Sequence, residues 1–169
     1  RDDGYGGDLA GRMRYPLEVF QAVKAVWPAA RALGVRVSAT DWVDGGWTIE
    51  DTVAFCQALK QIGCDFIDVT TSGVDPRQKI PVGPGYQVDF AAAVKQATGL
   101  PTMAVGMIND AQQAEAIIAS GQADYVMLAR GMMYDPRWAW HAAEVLGAKV
   151  AYPAQYARAE PARWPQAFE

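Results

Sequence analysis

The sequence predicts an α/β fold built on a parallel sheet, and three observations lead there. Four short apolar, β-rich runs recur: VRVSAT (Val35–Thr40), FIDVTT (Phe66–Thr71), PTMAVG (Pro101–Gly106) and YVMLAR (Tyr125–Arg130). A helical pattern precedes the first run and one follows each. Glycines close the helical stretches at Gly63, Gly99, Gly121 and Gly147, where a left-handed residue ends a helix. Strands that alternate with helices imply a parallel sheet joined by right-handed crossovers. Two architectures satisfy the pattern: a small doubly wound sheet, or half of a (β/α)8 barrel, which takes about 250 residues when whole.

The elements follow in order. RMRYPLEVFQAVKAVW carries Leu17, Phe20, Val23 and Val26 at close to helical period. TIEDTVAFCQALKQIG opens on a capping box, Thr48 with Asp51 three residues on. YQVDFAAAVKQATG ends at Gly99 with Pro101 just beyond, and NDAQQAEAIIASG starts on Asn109 or Asp110 as N-cap. DPRWAWHAAEVLG is expected to start with Asp135 as N-cap and Pro136 in the first helical position. Residues 1–150 read as one domain. Residues 151–169 form a tail rich in proline and aromatic residues, expected to lie outside helix interiors and to serve a subunit interface.

Composition narrows the function. A hydrophobic content of 51% fills a real core, and a net charge of −4 with scattered basic residues argues against a nucleic-acid surface. Cys56 and Cys64 have neither zinc nor redox spacing and read as reduced thiols. No apolar stretch is long enough to span a bilayer and no signal peptide is visible, so a cytoplasmic protein is expected. The chain opens on Arg1 inside a Gly-rich loop, RDDGYGGDLAGR, as a piece of a longer fold would.

Two strand ends attract attention as ligand sites. AVGMIND places Gly106 where a strand meets a helix, and LARGMMYDP repeats the arrangement with Ala129, Arg130 and Gly131. Glycine lets the backbone approach a ligand, and free amides at such a turn form an anion-binding concavity. In barrels the loops after the last two strands often build a phosphate site. The plainer alternative is that the glycines only permit tight turns. Arg36 sits inside an apolar strand, costly to bury unless something anionic receives it; alternation sends it inward if Val35 and Val37 face the helices. Its alternative is a strand-end ion pair with Asp41 or Asp68. Asp68 could be a ligand-binding carboxylate or one held by hydroxyls or a cation. Trp42 and Trp47 flank a loop that lines a pocket or covers the barrel rim. His141, the one histidine, lies mid-helix and reads as structural or exposed, which leaves no triad, no His-based acid–base pair and no metal cluster.

Four motifs together resemble the C-terminal half of an old yellow enzyme, an FMN-dependent ene-reductase of the NADH:flavin oxidoreductase family, nearest its thermophilic-like class. RDDGYGGDLAGRMRY is similar to the family's R-x-D-x-Y-G-G-S-x-x-N-R-x-R-F, VRVSATD to its fifth barrel strand, AVGMI to its seventh, and LARGMMYDPRWAW to its eighth strand and helix. The resemblance implies strands 5–8 of a TIM barrel, bound FMN, and NADPH or NADH as reductant. It implies Arg36 beside flavin N1 and O2, and Gly106, Met107, Ala129 and Arg130 around the FMN phosphate. The tail PAQYARAE implies Tyr156 at a subunit interface and Arg158 reaching a neighbouring active site in a homo-oligomer. Substrate-anchoring and proton-donating residues come from the family's first four strands, so no catalytic residue is expected in this chain. The expected partners are an N-terminal half-barrel, in a split, nicked or permuted protein, and a small activated alkene. Asp8 stands where the family has Ser, Gly11 where it has Asn, and Ala129 where it often has Gly; the segment beyond Arg158, with Arg163 and Trp164, is longer than the resemblance leads one to expect. Two other readings fit the bare pattern: a half-barrel of a phosphosugar isomerase or lyase, and a non-catalytic half-barrel assembly partner.

Overall fold

The computed structural model describes residues 1–71, 73 and 75–167. Four parallel strands, β1 (Gly34–Ser38), β2 (Phe66–Thr70), β3 (Thr102–Val105) and β4 (Tyr125–Met127), form one sheet in the order β1-β2-β3-β4. Helix α1 (Leu9–Val26) precedes them; α2 (Ile49–Gln61), α3 (Val88–Thr98) and α4 (Ala111–Ala119) are the crossovers; α5 (Arg130–Tyr134) and α6 (Trp138–Val145) follow β4. The spatial order of strands repeats the chain order without reversal. A doubly wound sheet needs a reversal, at which helices change face, so the chain is the half-barrel of the two expected architectures. Among the described residues no strand pairs with the outer edge of β1 or of β4.

The register divides the strand residues between two faces. Val35, Val37, Ile67, Val69, Thr102, Ala104 and Val126 alternate toward the helices, where Leu59, Phe55, Ala91, Val94 and Ile117 join the same core. Arg36, Asp68, Met103 and Tyr125 lie in one row across the opposite, inner face. That face is uncovered in this chain: Tyr125 is 54% exposed and Met127 38%. Arg36 therefore points inward, as alternation requires once Val35 and Val37 face the helices.

Local sequence explains most boundaries. Asp8 caps α1 by accepting from the Gly11 N–H at 2.8 Å, work that either Asp or Ser does. Gly11 lies so close under the Gly6 carbonyl that a side chain there would collide with it. The Thr48–Asp51 capping box forms in both directions, and Asp110, not Asn109, caps α4. The last unit departs from expectation. The strand expected over Tyr125–Arg130 ends at Met127, and Arg130 already opens α5. Asp135 is not the N-cap of α6, nor Pro136 its first residue; the helix starts at Trp138 after Arg137. The reason is that Asp135 closes α5 through its own N–H to the Gly131 carbonyl, and its carboxylate accepts from the Arg137 N–H at 3.0 Å. The tail forms short 3-10 turns at Ala154–Ala159, Pro161–Arg163 and Pro165–Ala167.

Among the described residues no helix is long and apolar enough to cross a membrane. Leu59 is fully enclosed between α2 and the sheet. Leu59→Ala removes that packing and is expected to lower stability by about 2–5 kcal/mol, read as a drop in the urea midpoint with an unchanged slope.

Candidate phosphate and cofactor site

The C-terminal ends of four parallel strands open on one rim, and the chemistry gathers there. An open cavity of about 570 Å³ lies between the loops after β3 and β4, a size suited to a small ligand. Gly106, Met107, Ala129 and Arg130, the four residues expected to hold a phosphate, all line it, with Thr70 and Tyr134 beside them.

Backbone shape gives this cavity donors that an anion could use. Gly106 has φ 125° and Met107 φ 50°, so two successive residues turn through the left-handed half of conformational space, the arrangement that points neighbouring amides into one concavity. The amides of Met107, Ile108 and Ala129 have no protein acceptor among the described residues. Gly106 is needed for room as well as for φ: a Cβ there would sit 2.7 Å from Gln87 Nε2 and 2.9 Å from the Tyr86 ring. Ala129, by contrast, has φ −104°, so the loss of the family's glycine there costs no strain. Met107 carries the positive φ instead. The Arg130 guanidinium makes no ion pair among the described residues and is exposed at the cavity.

Gln87 holds the rim together, and the sequence offered little sign of it beyond its place before an apolar helix. Its side chain is buried at 2% exposure. Oε1 accepts from the Thr71 N–H at 2.5 Å and the Thr71 hydroxyl at 2.7 Å, while Nε2 donates to the Val105 carbonyl at 2.8 Å. One amide thus ties the end of β2 to the end of β3. Trp138 ties the loop after β3 to α6, donating Nε1–H to the Asn109 carbonyl at 2.7 Å.

Arg36 is not in the cavity. It lies on the inner face of β1, where its Nη1 donates to Asp68 Oδ2 at 2.8 Å. The ion pair anticipated with Asp41 or Asp68 is made with Asp68. It coexists with an inward-facing guanidinium whose side chain remains 56% exposed. Trp42 and Trp47 cover the rim: Trp42 packs edge-on against Phe90 at 5.5 Å, and Trp47 against Phe55 at 6.4 Å with Nε1–H donated to the Thr52 hydroxyl. His141 is exposed and pairs with Asp135 at 2.7 Å, which holds that carboxyl below its usual range. Burial pushes the Cys56 thiol up to about 12 and raises Cys64 as well, so neither is a nucleophile near neutrality. No cluster of metal-ligating side chains occurs among the described residues.

Tyr156 and Arg158 stand apart from the cavity within this chain. Tyr156 packs on Trp140 at 5.7 Å, and the Arg137 guanidinium lies 4.2 Å from its ring. Arg158 is exposed.

Fold and site together define half of a (β/α)8 barrel, with a cavity between the loops after its last two strands and a cation on its inner face. Residues 1–148 match the NADH:flavin oxidoreductase / NADH oxidase family, and the chain belongs to it. It is 41% identical over 158 residues to an NADPH dehydrogenase of Geobacillus thermodenitrificans and 43% identical over 159 residues to one of Bacillus licheniformis. Each match covers 94% of this chain and 46% of the relative, so the chain spans less than half the length of the curated proteins it resembles. Among solved structures, morphinone reductase superposes with a TM-score of 0.64 at 25% identity, over 90% of this chain and 39% of that one. A 2-naphthoyl-CoA reductase superposes with a TM-score of 0.77 at 22% identity, over 88% and 23%, a likeness of fold. Members of this family are flavin oxidoreductases that take electrons from NAD(P)H, with FMN as the cofactor.

Gln87→Ala leaves the Thr71 amide and the Val105 carbonyl without side-chain partners at about 1–3 kcal/mol per buried group. The expected result is a lower melting temperature, with hydrogen exchange at Thr71 faster than within β2.

Proposed function

We propose that the protein carrying this chain is an FMN-dependent ene-reductase, which uses NADPH or NADH to reduce the C=C bond of α,β-unsaturated carbonyl or nitro compounds. The observation that carries the reading is the convergence of Gly106, Met107, Ala129 and Arg130 on one cavity, in a chain whose Arg36 faces the barrel interior. The donor set suits the phosphate of FMN: amides without protein acceptors and a guanidinium without an ion pair, both among the described residues, and a Gly106 that leaves room. When bound, FMN supplies hydride transfer, accepting from the nicotinamide and giving to the alkene.

Each residue has its task in this reading. The amides of Met107, Ile108 and Ala129 bind phosphate oxygens, and Arg130 adds a full positive charge. Gly106 lets the backbone approach. Gln87 fixes the end of β3 against the end of β2 and Trp138 fixes the loop after β3 against α6, so the phosphate is bound by a preformed rim. Arg36 presents a fixed cation where negative charge develops on the ring system. None of these residues gives or takes a proton; that role falls to the part of the barrel that precedes this chain's first strand.

The reading extends to partners and setting. An N-terminal half-barrel completes the open inner face and edges, whether on the same polypeptide or another. Residues 151–169 form a subunit interface in a homo-oligomer, with Tyr156 packed there and Arg158 reaching a neighbouring active site. The protein acts in the cytoplasm.

The first test is the visible spectrum of the purified complete protein. A flavin band near about 450 nm is expected, and colourless protein that takes up no FMN overturns the reading. Arg130→Ala should then weaken FMN binding by about tenfold, from the loss of one charge-assisted contact, with the reduction rate of loaded flavin kept. Arg36→Ala should slow that rate about tenfold or more. Stopped-flow reduction by NADPH with an FMN titration separates the two, and unchanged affinity and rate in Arg36→Ala would remove Arg36 from the site.

A further inference from the structure

The Arg36–Asp68 pair is odd as a stabilising device. Asp68 is 8% exposed and sits directly across the β1–β2 register from Arg36. Its Oδ2 accepts from Arg36 Nη1, while its Oδ1 is fully buried with no hydrogen-bond partner among the described residues. A buried carboxylate with one oxygen unsatisfied is expensive, and a well-packed apolar pair of similar volume would serve stability as well or better. The remaining residues of the row, Met103 and Tyr125, bring no charge that would require an acid there. The carboxylate therefore has its effect on the arginine. It limits a long side chain to one direction along the inner face, and it sets a negative charge 2.8 Å from the cation.

Resting on the FMN reading above, we propose that Asp68 is a positioning residue that holds Arg36 against the flavin ring and tempers its charge, so that the reduced cofactor is stabilised less than a lone arginine would stabilise it. A lone cation on the inner face would favour the more negative, reduced state strongly and make its hydride harder to pass on. With Asp68 beside it, the pair carries no net charge, and Arg36 acts through its hydrogen-bond donors and its local field, which fall off faster with distance than the field of an unpaired charge. Asp68 itself need not touch the cofactor.

Asp68→Asn separates the two parts of the role, because the amide oxygen still accepts from Arg36 while the charge is gone. In the complete holoenzyme, Asp68→Asn is expected to raise the ratio of affinities for reduced over oxidised FMN about tenfold, an upward shift of about 30 mV in the two-electron potential. In an Arg36→Gln background the carboxylate is left without its cation, so the same substitution should again raise the potential, from a starting value that Arg36→Gln alone has lowered. A shift downward, or no shift in FMN-loaded Asp68→Asn, overturns the proposal. If Asp68→Asn does not load FMN, Asp68→Ser repeats the measurement; failure of both to load while Arg36→Gln does load makes Asp68 a purely structural residue and also overturns it. Wild-type protein that binds no flavin sinks the functional reading and this inference together, whereas a coloured protein in which Arg36→Gln moves the potential and Asp68→Asn does not sinks this inference alone.

Discussion

A parallel sheet joined only by right-handed crossovers has its polarity and its covered face decided at once. Because β1 to β4 run in chain order, every crossover returns on the same side, and the apolar residues of each strand alternate toward that side. Two consequences organise the rest of the molecule. All four strand ends deliver their loops to one rim, where a glycine turn after β3 and an arginine turn after β4 become neighbours. The other face of each strand is left free, and it is there that Arg36 and Asp68 meet.

The rim is made rigid by few contacts. Gln87 bridges β2 and β3 through both ends of one amide, and Trp138 binds the loop after β3 to α6. The Gln87 contacts are buried, where a missing partner is costly, so they limit the alternatives the strand ends can adopt. The cavity between the loops then has amides without protein acceptors among the described residues. Such donors at a preformed turn are the feature on which the proposed phosphate site rests.

The inner face tells a different story. Its exposed Tyr125 and Met127, the unpaired edges of β1 and β4, and a chain that covers less than half of its relatives belong together: the sheet is one part of a larger closed structure. The buried acid beside Arg36 has no stabilising purpose that an apolar residue would not meet, and its place in the register ties it to the cation rather than to the core.

Much was legible in the sequence. Periodicity, capping residues and terminal glycines located the helices and strands, because those signals act within a few residues of chain. The family motifs pointed to Gly106, Met107, Ala129 and Arg130, which share one cavity. Asp135 was misplaced because one residue serves both the end of α5 and the turn that follows, and local pattern cannot say which bond its backbone makes. The choice between a doubly wound sheet and a half-barrel, the preference of Arg36 for Asp68 over Asp41, and the bridge made by Gln87 were decided by tertiary structure alone. Each depends on which strand lies beside which, and that is settled by packing between segments tens of residues apart rather than by any stretch of sequence read by itself.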